Sequence, residues 1–435
     1  MPFTAADCER CRRDFPSLAR TLDGRPLAFL DGPAGTQVPN AVIDAIAGYY
    51  RASNANTHGY FPTTRETDRL LQETREVTAA FLGAADWRSV SFGQNMTTLT
   101  WSLSYALARE MVPGDEIVIT QLEHEANRGP WLNLQAERGI VVREAAIGPD
   151  GRLDADDLAR QISERTRLVA FSMASNSLGT VSDAALARRL SKEAGAWLLL
   201  DAVHYAAHFP IDVTALDADF LLCSAYKFYG PHVGILYSRP GLLDRLRTDR
   251  LRTQDEEAPY RIEMGTLNHA ALVGVKAAVE YIASWGTGAS LRARIASAME
   301  EISAYEHDLG AYYFENVRGI PGVAVHGPDF SGPRAPTVSI TVEGVAPAEV
   351  ARALSEKGLN VWAGHFYGLR PLEILGLMEN GGVVRAGIVM YNTREEVDRL
   401  LEGVAELRKP SLPQPPLSRP LPSPLTGREG ALKAE

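Results

Sequence analysis

The stretch WLLLDAVHYAAHFPIDVTALDADFLLCSAYKFYGP, residues 197–231, decides the fold. An apolar run at 197–200 ends on Asp201, and a second at 220–223 ends on Ser224-Ala225-Tyr226-Lys227. Both are short and almost continuously apolar, as strands buried on two faces are, whereas half-exposed strands alternate. Working outward, residues 116–120, 139–143, 168–172 and 234–237 have the same texture. Between them, 156–164 and 184–193 carry apolar residues at three- and four-residue spacing with charges on the other face, the mark of amphipathic helices. Strand and helix alternate, which predicts an α/β fold built on a mostly parallel, helix-covered sheet.

The rest of the chain bounds the answer. A length of 435 residues allows two or three domains at roughly 100–200 residues each. Apolar residues at 45% and charged residues at 23% exclude a disordered or membrane-embedded chain. The net charge of −10 argues against nucleic-acid binding, which needs a basic footprint. The first residues are charged where a signal peptide is apolar, and no stretch approaches the roughly 20 apolar residues of a membrane span. Three cysteines, Cys8, Cys11 and Cys223, cannot form a disulfide framework, so a cytoplasmic location is expected. Cys8 and Cys11 form a C-x-x-C with no second pair to close a zinc site, so no metal is expected and the spacing reads as chance on an exposed arm.

After residue 270 the texture changes. Helical runs at 270–284 and 289–314 precede a strand at 337–342, a helix at 347–357, a strand at 383–389 and a helix begun at Thr393. Seven of the 26 prolines fall in 410–424, which no helix or sheet accommodates. The expected organisation is an N-terminal arm (1–25) packing on the small domain, a large domain (26–284), a smaller α+β domain (285–408) and a disordered tail (409–435).

In open α/β sheets ligands gather beyond the carboxyl ends of the strands. The residues there are Gln121-Leu-Glu-His-Glu-Ala-Asn127, Met173-Ala-Ser-Asn-Ser-Leu-Gly-Thr180, Asp201-Ala-Val-His204 and Ser224-Ala-Tyr-Lys-Phe-Tyr-Gly-Pro231. Lys227 follows an apolar strand, where desolvation lowers an amine's pKa toward the nucleophilic range and favours a Schiff base. Pyridoxal phosphate needs such a lysine, an acid for its ring nitrogen and donors for its phosphate, and Asp201 and Ser224 supply the last two. Ser224 to Lys227 also reads S-x-x-K, but the companion motifs of penicillin-recognising enzymes are absent. No phosphate loop and no H-E-x-x-H occurs.

Taken in order, Phe29-Leu-Asp-Gly-Pro-Ala-Gly35, Glu123-His-Glu-Ala-Asn127, Ser175-Asn-Ser-Leu-Gly-Thr180, the Asp201 turn, Ser224 to Pro231, Glu263-Met-Gly-Thr266 and Met390-Tyr-Asn-Thr393 resemble the cysteine desulfurase-like branch of the class V aminotransferase-fold enzymes. The resemblance covers nearly all but the tail. It implies a fold type I, aspartate aminotransferase-like architecture and a pyridoxal 5'-phosphate cofactor bound to Lys227 as an internal aldimine. Lys227 then moves protons at Cα and Asp201 holds the ring nitrogen protonated. His124 stacks on the ring, Asn176 reaches the phenolic oxygen, and His204 occupies a turn position where these enzymes often carry glutamine. Gln94, Asn95, Ser224 and Tyr226 cup the phosphate, with Thr266 arriving from the second subunit of a homodimer. Arg385 grips the carboxylate of an amino acid substrate, while His58, Asn176 and His365 lie among the expected substrate contacts.

One departure bears on the chemistry. Desulfurases of this branch carry a persulfide cysteine in a loop reading arginine-threonine-glycine-histidine-histidine-cysteine. This chain reads Trp362-Ala-Gly-His365-Phe-Tyr367 there, and no cysteine follows Cys223. The expected function is therefore C–S lyase or β-elimination, transamination or related Cα chemistry through Lys227. A working cysteine desulfurase or selenocysteine lyase, with Cys8 or Cys11 as acceptor in the first case, is the alternative. A non-catalytic pyridoxal phosphate-binding protein is the alternative of another class.

Overall fold

The continuous apolar runs become strands because a central sheet leaves them no wet face. The computed structural model describes residues 2–407. Seven strands form one sheet: β1 (Val90–Gly93), β2 (Glu116–Thr120), β3 (Val141–Ala145), β4 (Thr166–Ser172), β5 (Trp197–Asp201), β6 (Phe220–Ser224) and β7 (Gly234–Ser238). Their spatial order is β1-β7-β6-β5-β4-β2-β3. Strands β2 to β6 pair in parallel, and β7 runs antiparallel to both β1 and β6.

Alternate residues of each strand enter different cores. Ile117, Ile119, Leu168, Leu199, Phe220 and Leu222 pack with Leu99, Leu103 and Trp131 of the helices Met96–Ala108 and Gly129–Arg138. Val118, Val169, Leu200, Leu221 and Ile235 pack on the other side with residues of Pro62–Leu82, Ala184–Glu193 and His269–Ala283. Burial on both faces is what makes the run, rather than alternation, the signature.

Within this sheet two details differ from the sequence reading. The run at 139–143 becomes a strand only from Val141, and its side chains alternate, with Val141 exposed, because β3 is an edge strand with a single neighbour. The antiparallel direction of β7 leaves no trace in an apolar run of five residues.

Register decides what reaches the carboxyl rim. Ser172 lies opposite Asp201, Asp201 opposite Leu222, and Ser224 opposite Gly234, which pairs on its other side with Gly93. The polar residues after β4, β5 and β6 therefore emerge side by side.

A second, wholly antiparallel sheet contains β8 (Val323–His326), β9 (Thr337–Val342), β10 (Trp362–Gly364) and β11 (Val383–Gly387), in the order β8-β9-β11-β10. Val338, Ile340 and Val384 pack against Val350, Val397 and Leu400 of the helices Pro347–Ser355 and Arg394–Glu406. The helix Leu291–Val317 sends Ile295, Met299 and Ile302 into the core of the large sheet and Leu309, Tyr313 and Val317 into that of the small one. Strand β11 ends at Gly387, short of the expected 389, because the chain there closes on Asp31-Gly32-Pro33. A Cβ on Gly387 would sit 2.1 Å from Pro33 Cδ.

The N-terminal helix Ala5–Arg12 corrects another expectation. Cys8 and Cys11 are fully buried rather than exposed, and their thiols face the carbonyls of Asn392 and Met390 at 3.3 and 3.6 Å. The three-residue spacing puts both on the helix's inner face. Arg12 secures the contact through an ion pair to Glu396 at 2.9 Å. The tail expected over 409–435 lies outside the described residues. Among those described, no helix is long and apolar enough to cross a membrane.

Candidate active site

Strand β6 runs into a single 3-10 turn, Ala225–Lys227, which turns the lysine back under the rim. Lys227 is 7% exposed. Its Nζ donates to the carbonyl of Pro33 and sits 4.8 Å from the Tyr226 ring centroid. Burial, helped by the nearby Arg385 guanidinium and opposed by Asp201, lowers its pKa to about 7. Asp201, at the end of the adjacent β5, is pushed up to about 6 by burial, against a 2.9 Å hydrogen bond from the Val203 amide and the charge of Lys227.

One cleft is lined by Asn95, Met96, Thr97, His124, Ala126, Ser172, Ala174, Asn176, Asp201, Val203, His204, Ser224, Tyr226 and Lys227. His124 precedes the 3-10 turn Glu125–Asn127, and its Nδ1 accepts from the Ala126 amide at 3.0 Å, which leaves the ring proton on Nε2. Burial, then Lys227 and Arg385, take its pKa down to about 4, so the ring is neutral. Behind it the fully buried Glu123 accepts from Thr120 Oγ1, the Ser172 amide and Asn127 Nδ2 at 2.7–2.9 Å, and burial raises its pKa to about 8.

At the far end of the cleft Asn95 caps the helix Met96–Ala108, accepting from the Thr98 amide at 2.9 Å. Ser224 Oγ accepts from the Met96 amide at 3.2 Å, which leaves its own proton for a ligand. A helix N-terminus with a hydroxyl aimed across it suits a phosphate. Tyr226 stacks on His232, with ring centroids 4.6 Å apart and 6° between planes.

Arg385 approaches from β11, 3% exposed, and its Nη1 donates to the Asn176 carbonyl at 2.9 Å. Its guanidinium carbon lies 3.9 Å from the Phe366 ring centroid, and its Nε has no partner. The loop carrying Phe366 is pinned. Asn176 Nδ2 donates to the Phe366 carbonyl at 2.9 Å and the Glu125 amide to the Tyr367 carbonyl at 2.8 Å. Phe366 and Tyr367 both take positive φ, +54° and +56°, which aims one ring at Arg385 and the other at His124, 5.8 Å between centroids.

Eight of the residues singled out in the sequence thus meet in one cleft, and Arg385 stands at its edge. Four do not reach it. Gln94 lines a neighbouring cleft with Thr266 and His232, because Asn95 is in extended backbone and successive side chains there point to opposite sides. His58 is exposed, 3.8 Å from Asp68. His365 is exposed too, its Nδ1 accepting from the Tyr367 amide, and Phe366 takes the inward place instead. Sequence reasoning passed over Pro33, Thr97, Glu123 and Phe366, although Pro33, Glu123 and Phe366 stand inside the motifs and the loop already singled out.

A buried amine beside a carboxylate, a neutral imidazole, and a helix N-terminus with a free hydroxyl proton fit pyridoxal phosphate. Two buried nitrogens without partners, His204 Nδ1 and Arg385 Nε, add donors or acceptors for a bound molecule. Comparison with known proteins agrees. Residues 28–400 match the family described as aminotransferase class-V, and the chain belongs to it. The protein is a pyridoxal phosphate-dependent enzyme with the fold type I architecture. Its relatives narrow this further. It is 33% identical over 416 residues to a cysteine desulfurase of Serratia proteamaculans (strain 568), covering 92% of this chain and 98% of that one. The solved cysteine desulfurase from Thermococcus onnurineus NA1 superposes with a TM-score of 0.82 at 28% identity, over 92% of this chain and 98% of the other. The cysteine desulfurase CsdA from Escherichia coli gives 0.81 at 27%, with the same coverage.

Proposed function

We propose that the enzyme carries out cysteine desulfurase-like Cα and Cβ chemistry without passing sulfur to a cysteine of its own, so that β-elimination at a C–S bond is its reaction. The observation that carries this reading is the tip of the 365–368 loop. Tyr367 stands over His124 where the resemblance expects a thiol, and all three cysteines of the chain are buried elsewhere. Cys223 lies within β6, and burial pushes its thiol far up from the ordinary value. Only thiolates attack sulfur.

Bound pyridoxal phosphate supplies an electron sink for a carbanion at Cα. Within this chain Lys227, depressed to about 7 when free, is the base that takes the Cα proton. Asp201 keeps a proton at the cofactor's ring nitrogen. Arg385 offers its unused nitrogens to the substrate carboxylate, a fork suited to that group. Ser224, Asn95 and the Met96 helix hold the phosphate, and the neutral His124 covers the ring face.

We further read the active form as a cytoplasmic homodimer in which Thr266 serves the partner's site. Tyr50, Asn56, Thr266 and Asn268 line one surface cleft, and the exposed Ile43, Tyr50, Tyr60, Phe61 and Met264 lie on or beside the same segments, an apolar surface of the kind a second copy covers.

The test is to incubate the cofactor-loaded enzyme with L-cysteine and quantify products. Elimination releases sulfide and, after water is added to the unsaturated product, pyruvate and ammonia. Pyruvate without alanine is the expected result. Alanine with protein-bound sulfur would overturn the reading in favour of a desulfurase.

A further inference from the structure

The mechanism leaves a buried chain of titratable groups behind the cofactor cleft unused. His204 is 3% exposed and lines the cleft; its Nε2 is 3.0 Å from Thr337 Oγ1, while Nδ1 has no partner. Its ring meets His208 edge-on, 5.0 Å between centroids at 81°. His208, 2% exposed, holds Glu306 Oε2 by Nδ1 at 2.7 Å, and Glu306 is wholly buried in the helix Leu291–Val317. The two histidines flank the turn Tyr205–Ala207, so one short element carries both rings.

Burying a carboxylate with an imidazole costs more than packing apolar side chains of the same size, so such a pair is weak evidence for stability alone. A native structure also seldom leaves a buried nitrogen without a partner. His204 Nδ1 is such an atom, and the cofactor cleft is where a ligand can satisfy it. An amide, the usual group here by the resemblance, has fixed donors, but an imidazole offers a proton or a lone pair according to its tautomer. Orientation and tautomer of this ring must therefore be held by its surroundings.

We propose that Glu306 and His208 are positioning residues for the cofactor: together with Thr337 they fix the His204 imidazole so that its free Nδ1 meets a polar atom of the bound pyridoxal phosphate. This rests on the cofactor assignment, not on the β-elimination reading. The charged and titratable groups facing His204 are Lys227, Arg385 and His208, with Asp201 in the same cleft; those facing Glu306 are His208 and the hydroxyls of Tyr229 and Tyr391. None of the latter lines the cleft, and His208 is in ring contact with His204, which does.

The experiment is a double-mutant cycle read by the absorption of the bound cofactor in the full-length holoenzyme, without substrate. Glu306→Gln keeps the shape and removes the charge. It is expected to move the position or the pH midpoint of the visible band, by about half a pH unit or more, roughly threefold in proton affinity. In the His204→Gln background the same substitution is expected to move nothing. A band unchanged by Glu306→Gln, with only the melting temperature lowered, would overturn the proposal as a structural pair. An equal shift in both backgrounds would overturn it as an effect that bypasses His204. If Glu306→Gln does not fold, His208→Gln runs the same cycle. A wild-type protein that takes up no pyridoxal phosphate would instead sink the cofactor assignment.

Discussion

Replacing Phe366 by alanine should weaken substrate binding while leaving the cofactor untouched. The Arg385 guanidinium is 3% exposed and lies 3.9 Å from the Phe366 ring centroid, with one nitrogen on the Asn176 carbonyl and Nε unpartnered. A desolvated cation over an aromatic face is worth about 2 kcal/mol. Truncation removes that attraction and opens the guanidinium to water, which competes with a substrate carboxylate. At about 1.4 kcal/mol per tenfold, KM should rise on the order of 10–30-fold. Proton transfer at Lys227 uses none of these atoms, so kcat should stay within about threefold, the pattern of lost uniform binding. Phe366→Tyr keeps the ring and should behave as wild type. The assay is steady-state kinetics over an amino acid concentration series, with the absorption of bound cofactor as the control. A KM within about twofold of wild type in the alanine variant would refute the reasoning, since Arg385 would then be either indifferent to its ring or not the carboxylate binder.

The same geometry sets four further outcomes. The Lys227 amine, lowered to about 7, is the free base above that pH, so the rate at which apoenzyme captures pyridoxal phosphate should rise through about pH 7 and then level off; a rise that continues toward 10.5 would show an ordinary lysine. In Gly234→Ala the new Cβ would lie 2.3 Å from the backbone carbon of Asn95, pushing the helix N-terminus out of place, and cofactor affinity measured by dialysis should fall more than unfolding stability does. Glu263→Gln strips the charge from a buried, two-point pairing with Arg75 at 2.7 and 2.8 Å, and denaturant unfolding should report a loss of about 3–5 kcal/mol. Tyr367→Cys puts a thiol above His124, and incubation with L-cysteine should then yield alanine and protein-bound sulfur that the wild type does not form.

Much of the site was legible because the strand ends are. Asp201 and Ser224 close apolar runs, and parallel pairing in register carries both to one rim. Reading each run together with the polar residues just beyond it therefore finds Lys227, Asp201, Ser224, Asn176 and His124 as a group. Gln94 was out of reach of that logic, since it neighbours Asn95 in sequence and points away from it in space. Cys8 and Cys11 were misread for a similar reason. Nothing within eleven residues of charged N-terminal sequence announces the carbonyls of Met390 and Asn392 that bury them. Phe366 was overlooked between two polar neighbours, because its partner, Arg385, lies on a different strand.

What the sequence determined by itself is the layered α/β architecture and a set of candidate reactive groups, because hydrophobic periodicity and the residue types that chemistry demands are local properties of a chain. What only tertiary structure decided is the state of those groups. Lys227 owes its depressed pKa and Asp201 its raised one to burial, Arg385 its aromatic cover to a loop with two left-handed residues, and His204 its ring contacts to Thr337 and His208. Desolvation and orientation depend on everything that surrounds a side chain, and those surroundings come from segments hundreds of residues apart.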